Sequence, residues 1–417
     1  MTILGIETSC DETTAAVVRD GREVLASVVH SQVPLHQPYG GVVPEIASRS
    51  HLERLPGVIA AALSSAECGV RNAEHGERKA PVGDPLSALR TPHSGLRTPH
   101  SGLRTPHSAL RTPHSGLRTP HSGLRTPHSA FAPLDAIAVT YGPGLASSLL
   151  VGLNAAKGLA LRLGKPLIGI NHIEAHIWSV FLAPRAPALR NVEGPPPAEA
   201  FPLLALVVSG GHTCLVEAGA VGAYRVIGQT LDDAAGEAFD KAAQLLGLGY
   251  PGGPAVERAA LAAGGRSAPI AFPQGRVRAG HKLLCGDLRA ELCVSFSGLK
   301  TALLYHLRQH PPRTPEEVNA VAAAYQEAIV DALAGRCDRA LRGGGYRALA
   351  VGGGVSLNRR LRERLAEVAG RRHVPLLLAE PRFCGDNAAM IAGLAGAGGG
   401  VRGSAALELD AVPSLAL

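Results

Sequence analysis

One stretch of this chain reads Leu203-Leu-Ala-Leu-Val-Val-Ser-Gly-Gly-His-Thr213, an apolar run that stops at a polar glycine turn. The run predicts a buried strand over Leu203–Ser209. The residues after the turn predict two more strands, at Thr213–Glu217 and Tyr224–Gln229. Because the proline-rich stretch 183–202 lies directly upstream, we interpret this point as the start of a second structural unit.

The N-terminal half opens in the same way. The apolar run Ile3–Glu7 predicts a strand, and a second predicted strand, Thr14–Arg19, leads through a hairpin turn at Asp20-Gly21 into a third, Glu23–Val29. Later elements of the first half are predicted as a helix at 44–63, a strand at 136–140, a helix ending near 163 and a strand at 167–170. Those of the second half are a strand at 348–351, a helix at 357–367 and a strand at 374–378. Two halves of this kind predict a duplicated α/β fold with a cleft between them.

Three polar turns have the composition of phosphate-binding sites. Glu7–Thr13 and Val208–Thr213 each bend between two predicted strands, and Gly352–Ser356 joins a strand to a helix. Glycine lets the backbone approach a ligand closely, and amides at helix starts attract anions. Three such turns at strand ends predict a nucleotide in the cleft.

Composition narrows the class of protein. No apolar run is long enough to cross a bilayer, and the N-terminus has no basic region before its first apolar stretch, so we expect neither a membrane span nor a signal peptide. The seven cysteines are scattered and include no Cys-x-x-Cys pair. This pattern favours a reduced, cytoplasmic protein.

A seven-residue unit, Leu-Arg-Thr-Pro-His-Ser-Gly/Ala, is repeated six times from Leu89 to Ala130. A proline in every unit excludes a coiled coil, and the composition cannot bury enough apolar surface to fold alone. We predict that residues 66–132 form a mobile surface insertion. It is interpreted as a solvated linker, with a basic, histidine-rich arm for RNA or metal ions as the alternative.

The formal charge of +7 is concentrated in the same segment. Residues 71–130 hold nine Lys or Arg against three acids, an excess of six, which leaves about +1 for the rest of the chain. A nucleic-acid interface therefore requires either this segment or a local basic patch on a nearly neutral body.

The segment Asn171-His-Ile-Glu-Ala-His176 follows an apolar strand and places two imidazoles four residues apart. On a helix both rings project from one face, which suits two ligands of one metal ion. A zinc protease of the H-E-x-x-H type needs glutamate directly after the first histidine. Ile173 occupies that position, and Glu174 points away from the pair. The segment therefore offers two candidate metal ligands but lacks the glutamate that acts as general base in such a protease.

Two acidic positions have alternative interpretations. Asp386 is placed either to cap the following helix or to act as a third metal ligand, which would complete a set of two histidines and one carboxylate. The segment Asp232–Lys241 is either a solvated helix start or a site in which Asp240 recognises a hydroxyl group. The sequence leaves both pairs of alternatives open.

Several long motifs resemble one family, the tRNA N6-adenosine threonylcarbamoyltransferases, formerly labelled O-sialoglycoprotein endopeptidases. The motifs that carry the resemblance are Asn171–His176, Val208–Thr213, Asp232–Lys241, Ser295–Lys300, Gly352–Asn358 and Phe383–Met390. The resemblance implies an actin/Hsp70/sugar-kinase-like α/β fold of two similar lobes with a central nucleotide cleft. We expect residues 1–200 to form the first lobe and 201–386 the second, with 387–417 returning to the first lobe.

The resemblance also implies a reaction. A threonylcarbamoyl group passes from its adenylate to N6 of the adenosine 3′ of the anticodon, in tRNAs that read codons starting with A. It implies one divalent metal, Fe²⁺ or alternatively Zn²⁺, on His172, His176 and Asp386. It implies substrate contacts at Val207, Val208, Ser209, Gly210, Gly211, Asp240, Gly253, Glu257 and Asn358. Implied partners are tRNA, threonylcarbamoyl-adenylate, a non-catalytic paralogous subunit and a small P-loop ATPase.

No base for the proton of the adenine amine is evident. Asp11 and Glu12 are candidates by position, and the alternative is that they order the first turn. Two other functions compete with the transferase: a non-catalytic nucleotide-binding scaffold, and a metalloprotease. The pair of histidines with a carboxylate argues against the scaffold, and the missing H-E-x-x-H base argues against the protease.

Overall fold

The computed structural model describes residues 1–74, 133–184, 197–277, 280–282, 284 and 286–417. Its strands are β1 (Thr2–Glu7), β2 (Glu12–Arg19), β3 (Glu23–Ser31), β4 (Ala136–Gly142), β5 (Leu167–Asn171), β6 (Ala183–Pro184), β7 (Leu203–Val208), β8 (Thr213–Ala220), β9 (Ala223–Gln229), β10 (Ala348–Gly352) and β11 (Leu376–Leu378). Its helices are α1 (Val33–His36), α2 (Pro44–Glu74), α3 (Ala146–Leu163), α4 (His172–Trp178), α5 (Pro197–Ala200), α6 (Ala235–Leu246), α7 (Gly252–Ala262), α8 (Ser297–Gln309), α9 (Pro315–Arg342), α10 (Arg359–Arg372), α11 (Pro381–Cys384), α12 (Ala388–Gly396) and α13 (Ser404–Glu408).

The strands form two sheets with the same topology. The first sheet has the order β5-β4-β1-β2-β3-β6, and the second has the order β11-β10-β7-β8-β9. In each sheet the first three strands are antiparallel, and the next two strands add in parallel beside the first. Only the two-residue strand β6 lacks a counterpart among the described residues. The predicted duplicated α/β fold of the actin/Hsp70/sugar-kinase-like class is confirmed.

One apolar core joins the two sheets. It contains side chains of the first sheet, such as Ile3 and Ile168, together with Leu203 and Ala350 of the second. Helices α4 and α12 lie within it, and α12 packs against β1 and β2 as well as α4. The helix that carries the predicted metal histidines is therefore held between both lobes. Separate cores lie on the outer faces of the two sheets.

The start of the insertion was predicted wrongly. Helix α2 continues through residues 66–74, and Ala66 is buried in the outer core of the first lobe. The helical pattern of apolar residues therefore extends beyond Leu63, where the prediction ended the helix. The heptad repeat itself, 89–130, lies outside the described residues.

The last segment of the chain packs on the first sheet. Val401 exchanges backbone hydrogen bonds with Gly169 of β5, and Val412 donates its N–H to the carbonyl of Tyr141 at 2.8 Å. The division into lobes at residues 200 and 386 stays a prediction. Among the described helices, none combines the length and the apolar character that a membrane span requires.

Candidate metal centre and nucleotide cleft

The histidine helix begins where the strand before it ends. The side chain of Asn171, the last residue of β5, accepts hydrogen bonds from the N–H groups of Ile173 and Glu174, so α4 starts at His172. His172 and His176 then lie one turn apart, with ring centroids separated by 4.7 Å. Both rings are buried. The predicted arrangement of two imidazoles on one helix face is confirmed by this geometry.

Asp386 reaches the histidines from a different part of the chain. It lies between α11 and α12, and its Oδ1 is 3.1 Å from Nε2 of His176 and 3.5 Å from Nε2 of His172. Asn387, not Asp386, caps α12, since its side chain accepts the N–H of Met390. The capping alternative for Asp386 is thereby excluded, and its carboxylate faces the two rings.

The three side chains have the spacing of metal ligands. One ligand atom from each of His172, His176 and Asp386 lies within 4.8 Å of the other two. Atoms bound to one ion at about 2.1 Å are separated by about 3 to 4 Å, which matches the observed contacts. Two imidazoles and one carboxylate on one side leave other coordination positions for substrate. The residues present therefore fit a divalent cation.

A second carboxylate lies behind His172. Oε2 of Glu7, the last residue of β1, is 3.0 Å from Nδ1 of His172, on the side of the ring away from Asp386. Glu7 is fully buried, and it also accepts hydrogen bonds from the hydroxyl of Thr140 and the N–H of Ser9. A carboxylate in this position fixes the ring and its tautomer, so that Nε2 points into the site.

The charges of this group depend on one another. Burial alone would lower the pKa of His172. The attraction of the Asp386 and Glu7 carboxylates is larger than this effect and raises the pKa of His172 to about 10. Burial also opposes ionisation of Asp386 and Glu7, and the neighbouring His172 nevertheless lowers the pKa of both. Burial lowers the pKa of His176. Because a histidine that binds a metal must be a neutral imidazole, binding of a cation by these side chains would be coupled to release of a proton from His172.

The proposed metal ligands lie beside a cleft of about 540 Å³ between the lobes, which His172 and Asp386 line. Besides His172 and Asp386, the predicted residues that line it are Asp11, Glu12, Ser209, Gly210, Gly211, Asp240, Gly253, Glu257 and Asn358. Val207 and Val208 do not line it. Their side chains are fully buried in β7, one in the core between the sheets and the other in the outer core of the second lobe.

The glycine turn after β7 is fixed by its own contacts and by α6. Ser209 and His212 exchange hydrogen bonds across the turn, and Gly236 of α6 donates its N–H to the carbonyl of Ser209 at 3.1 Å. A Cβ on Gly236 would stand 2.7 Å from that carbonyl, so helix and turn pack as closely as glycine allows. The exposed turn residues Gly210 and Gly211 present their backbone to the cleft.

Comparison with known proteins agrees with this geometry. The model of the family TsaD, tRNA N6-adenosine threonylcarbamoyltransferase, matches residues 23–75 and 124–393. The chain belongs to this family. A protein named tRNA N6-adenosine threonylcarbamoyltransferase from Anaeromyxobacter sp. (strain Fw109-5) is 42% identical over 416 residues, covering 99% of each chain. One of the same name from Geobacter sp. (strain M21) is 39% identical, covering 99% of this chain and 96% of the relative.

Among solved structures, component A of the (R)-2-hydroxyglutaryl-CoA dehydratase of Acidaminococcus fermentans is similar with a TM-score of 0.45. The two chains are 12% identical, with 95% of this chain and 99% of that chain covered. The fold assignment rests on the matched strand order of the two sheets rather than on this similarity.

The polar residues of the threonylcarbamoyltransferase cleft are already engaged by the protein. Oδ1 of Asp240 accepts the N–H of Gly252 at 2.7 Å. Glu257 accepts the N–H of Arg359 at 2.7 Å, and Asn358 caps α10 while donating to Gln326. These contacts orient the side chains, and each keeps an oxygen or N–H group free for a ligand.

Asp11 and Glu12 form an acidic edge of the cleft. Burial and the neighbouring Asp11 raise the pKa of Glu12 well above its usual range. Glu12 also accepts a hydrogen bond from the hydroxyl of Ser31 at 3.3 Å, and the main-chain carbonyl of Asp11 accepts the N–H of Gln32. The residues therefore order the first turn and also face the cleft, so the structure is compatible with both interpretations.

Two site residues were not assigned from the sequence. The sequence contains one indication for Glu7, a carboxylate at the end of an otherwise apolar strand. It contains none for the contact with His172, which is 165 positions away in the chain. His212 lines the cleft with its ring centroid 6.0 Å from that of His172. Burial, together with His172 and His176, lowers the pKa of His212 to about 4, so this ring is a neutral hydrogen-bonding group at physiological pH.

We predict that Glu7→Gln weakens metal binding by about 10- to 100-fold, because the amide no longer enforces the tautomer of His172. The measurement is a competition titration of metal-free protein with a chelator of known affinity. Glu174→Gln is the matched control, since Glu174 lies on the same helix as the ligands but does not line the cleft. Equal metal affinity of Glu7→Gln and wild type would refute the role given to Glu7.

Proposed function

We propose that this protein transfers a threonylcarbamoyl group from threonylcarbamoyl-adenylate to N6 of an adenosine in tRNA. The observation that carries the proposal is the meeting of His172, His176 and Asp386 at the mouth of a cleft lined by a glycine turn. In this reaction a bond forms between N6 and the carbamoyl carbon. The bond from that carbon to the phosphate oxygen breaks, AMP leaves, and the amine loses one proton.

The chemistry explains why the site needs these parts. The lone pair of an exocyclic adenine amine is delocalised into the ring, so the amine is a poor nucleophile. A divalent cation bound by the three ligands would polarise the carbonyl group and offset the charge of the phosphate. In this proposal the backbone of Gly210 and Gly211, which lines the cleft, holds the phosphate of the adenylate. The carboxylates of Asp240 and Glu257, which also line it, accept hydrogen bonds from hydroxyl groups.

Of the two candidate bases, Asp11 and Glu12, we favour Glu12. Because its pKa is raised, its carboxylate is a stronger proton acceptor than an ordinary glutamate, which suits removal of the amine proton. Asp11 next to it maintains that shift. Both residues line the cleft beside the metal group.

Further details of the proposal follow the family resemblance. A site of two histidines and one carboxylate with open positions is typical of Fe²⁺, and Zn²⁺ is the alternative. We propose that the adenosine lies 3′ of the anticodon in tRNAs for codons that start with A. We also propose a cytoplasmic assembly with a non-catalytic paralogous subunit and a small P-loop ATPase.

The test of the function is reconstitution. Threonine, bicarbonate, ATP, unmodified tRNA, an adenylate-forming enzyme and the two proposed partners are combined with this protein, and digested tRNA is analysed by nucleoside mass spectrometry. The expected product is N6-threonylcarbamoyladenosine, which should be absent when this chain is omitted. A complete mixture that yields no product, with competent adenylate formation, would contradict the proposal.

We predict that deletion of residues 76–123 leaves transfer activity close to that of the full chain. The family match skips this interval, and α2 ends at Glu74 just before it. Replacing this segment by a short flexible linker should change the free energy of unfolding by about 1 kcal/mol or less. The measurement is product formation in the reconstituted system. A large loss of turnover in a variant that melts like wild type would assign a function to the repeat.

A further inference from the structure

Three arginine side chains line one pocket of the second lobe. The pocket has a volume of about 510 Å³ and shares no lining residue with the cleft. It is lined by Arg276, Val277, Ala290, Glu291, Arg336 and Arg339. Three guanidinium groups and one carboxylate give it a positive excess.

Arg336 is a buried cation that forms no ion pair with an acidic side chain in the part of the chain that the structure describes. Its side chain is 3% exposed, and its guanidinium donates to main-chain carbonyls, those of Cys293 at 3.1 Å and Gln274 at 3.0 Å among them. Burial, Arg339 and Arg276 together lower the pKa of Arg336 to about 10. Because a buried charge without a counterion is unfavourable, an anion in this pocket would be stabilised.

The two outer arginines are also free of carboxylates. Arg339 donates to the main-chain carbonyl of Glu291 at 2.9 Å, and neither Arg339 nor Arg276 forms an ion pair within the described part of the chain. By contrast, Arg342, one turn after Arg339 on α9, pairs with Asp338 at 3.0 Å. The pocket thus carries a local positive excess, with Glu291 as the one carboxylate of its lining.

We propose that this pocket binds backbone phosphates of the RNA substrate, an inference that rests on the proposed function. Guanidinium groups match the geometry of phosphate oxygens. Because the chain outside residues 71–130 carries a charge of only about +1, attraction of a polyanion to the rest of the chain requires a local patch of this kind.

Hydrogen bonds link the chain segment that lines the pocket to the segment that precedes α6. The loop that carries Glu291 continues to Ser295 and Ser297, whose hydroxyl groups donate to Asp232 at 2.5 and 2.7 Å. Asp232 stands shortly before α6, the helix that lines the cleft through Gly236. RNA bound at the arginines would therefore contact the second lobe, whose helix α6 also lines the cleft.

The test compares Arg276→Gln/Arg339→Gln with wild type, using full-length chains in the reconstituted assembly. Binding of unmodified tRNA is measured by fluorescence anisotropy over a range of salt concentrations. The Kd is expected to rise by about 10-fold, and the slope of log K against log salt to fall by about 1.5 to 2 units, because two phosphate contacts are lost. KM for tRNA should rise while kcat at saturating tRNA stays unchanged.

Two control variants separate charge from structure. Arg276→Lys/Arg339→Lys keeps the charge and should retain the salt dependence of wild type. Arg342→Gln removes the same charge from the same helix, but from a paired arginine, and should leave the tRNA Kd unchanged.

The outcomes are distinguishable. A glutamine variant with the Kd and salt slope of wild type would overturn the arginine pocket while leaving the proposed transfer intact. Loss of binding to the partner proteins in the absence of RNA would assign the pocket to a protein contact and likewise overturn the inference. If wild type bound no tRNA, the inference and the proposed function would fall together. If tRNA bound through these arginines but no N6-threonylcarbamoyladenosine formed, the result would contradict the proposed transfer reaction and leave the RNA-binding pocket intact.

Discussion

His176→Ala is expected to reduce bound metal from about one ion per chain to background and to abolish threonylcarbamoyl transfer. His176 supplies one of three ligands from a fully buried ring, and its Nε2 lies 3.1 Å from Asp386. Substituting a residue that hydrogen-bonds to a metal ligand typically lowers metal affinity by about 10- to 100-fold, so loss of the ligand itself should lower it further. Metal content after gel filtration and nucleoside mass spectrometry measure the two effects.

The control for this variant is His310→Ala. His310 is exposed directly after α8 and its ring stacks on His306, so its loss should change neither metal content nor product. Both variants should show the circular dichroism of wild type, since α4 is also held by the apolar core between the sheets. Equal metal content in His176→Ala and wild type would refute the proposed metal site.

Gly353→Ala, in the turn that follows β10, is expected to destabilise the protein strongly, costing more than about 4 kcal/mol of the free energy of unfolding. Gly353 has a φ of +92°, which residues with a side chain rarely adopt. A Cβ there would also collide with the main-chain carbonyl of Val208, and a backbone atom in a central strand cannot move aside. Urea unfolding monitored by circular dichroism measures the change.

The neighbouring glycine is the matched control. Gly354 has no positive φ, and a Cβ on it would meet no atom within 4 Å. Gly354→Ala should therefore change the free energy of unfolding by about 1 kcal/mol or less in either direction. Similar stabilities for the two variants would show that the close packing of β7 against the turn after β10 is described incorrectly.

Local patterns in the sequence predicted much of the fold. Apolar runs bounded by polar turns located β1, β2 and β3 and the three matching strands β7, β8 and β9, because buried strands leave a local signature in the sequence. Element ends were less predictable. Helix α10 begins at Arg359 rather than Leu357, since residues 354–357 form a short 3-10 helix and Asn358 is the cap.

The metal group was predictable in part because two of its ligands are close in sequence. His172 and His176 share one helix, whereas Asp386 was assigned only through the family resemblance. The support of His172 by Glu7 and the arginine pocket depend on contacts between distant segments. Neither residue spacing nor composition contains that information, and it appears only when the chain is folded.

The most direct measurement is an anomalous difference map from crystals of metal-loaded protein, recorded at the absorption edge of iron or zinc. We expect one strong peak between Nε2 of His172, Nε2 of His176 and the carboxylate of Asp386, facing the cleft. A map from protein of known metal content that shows no peak at this position, or shows its peak on other side chains, would contradict the proposed metal site.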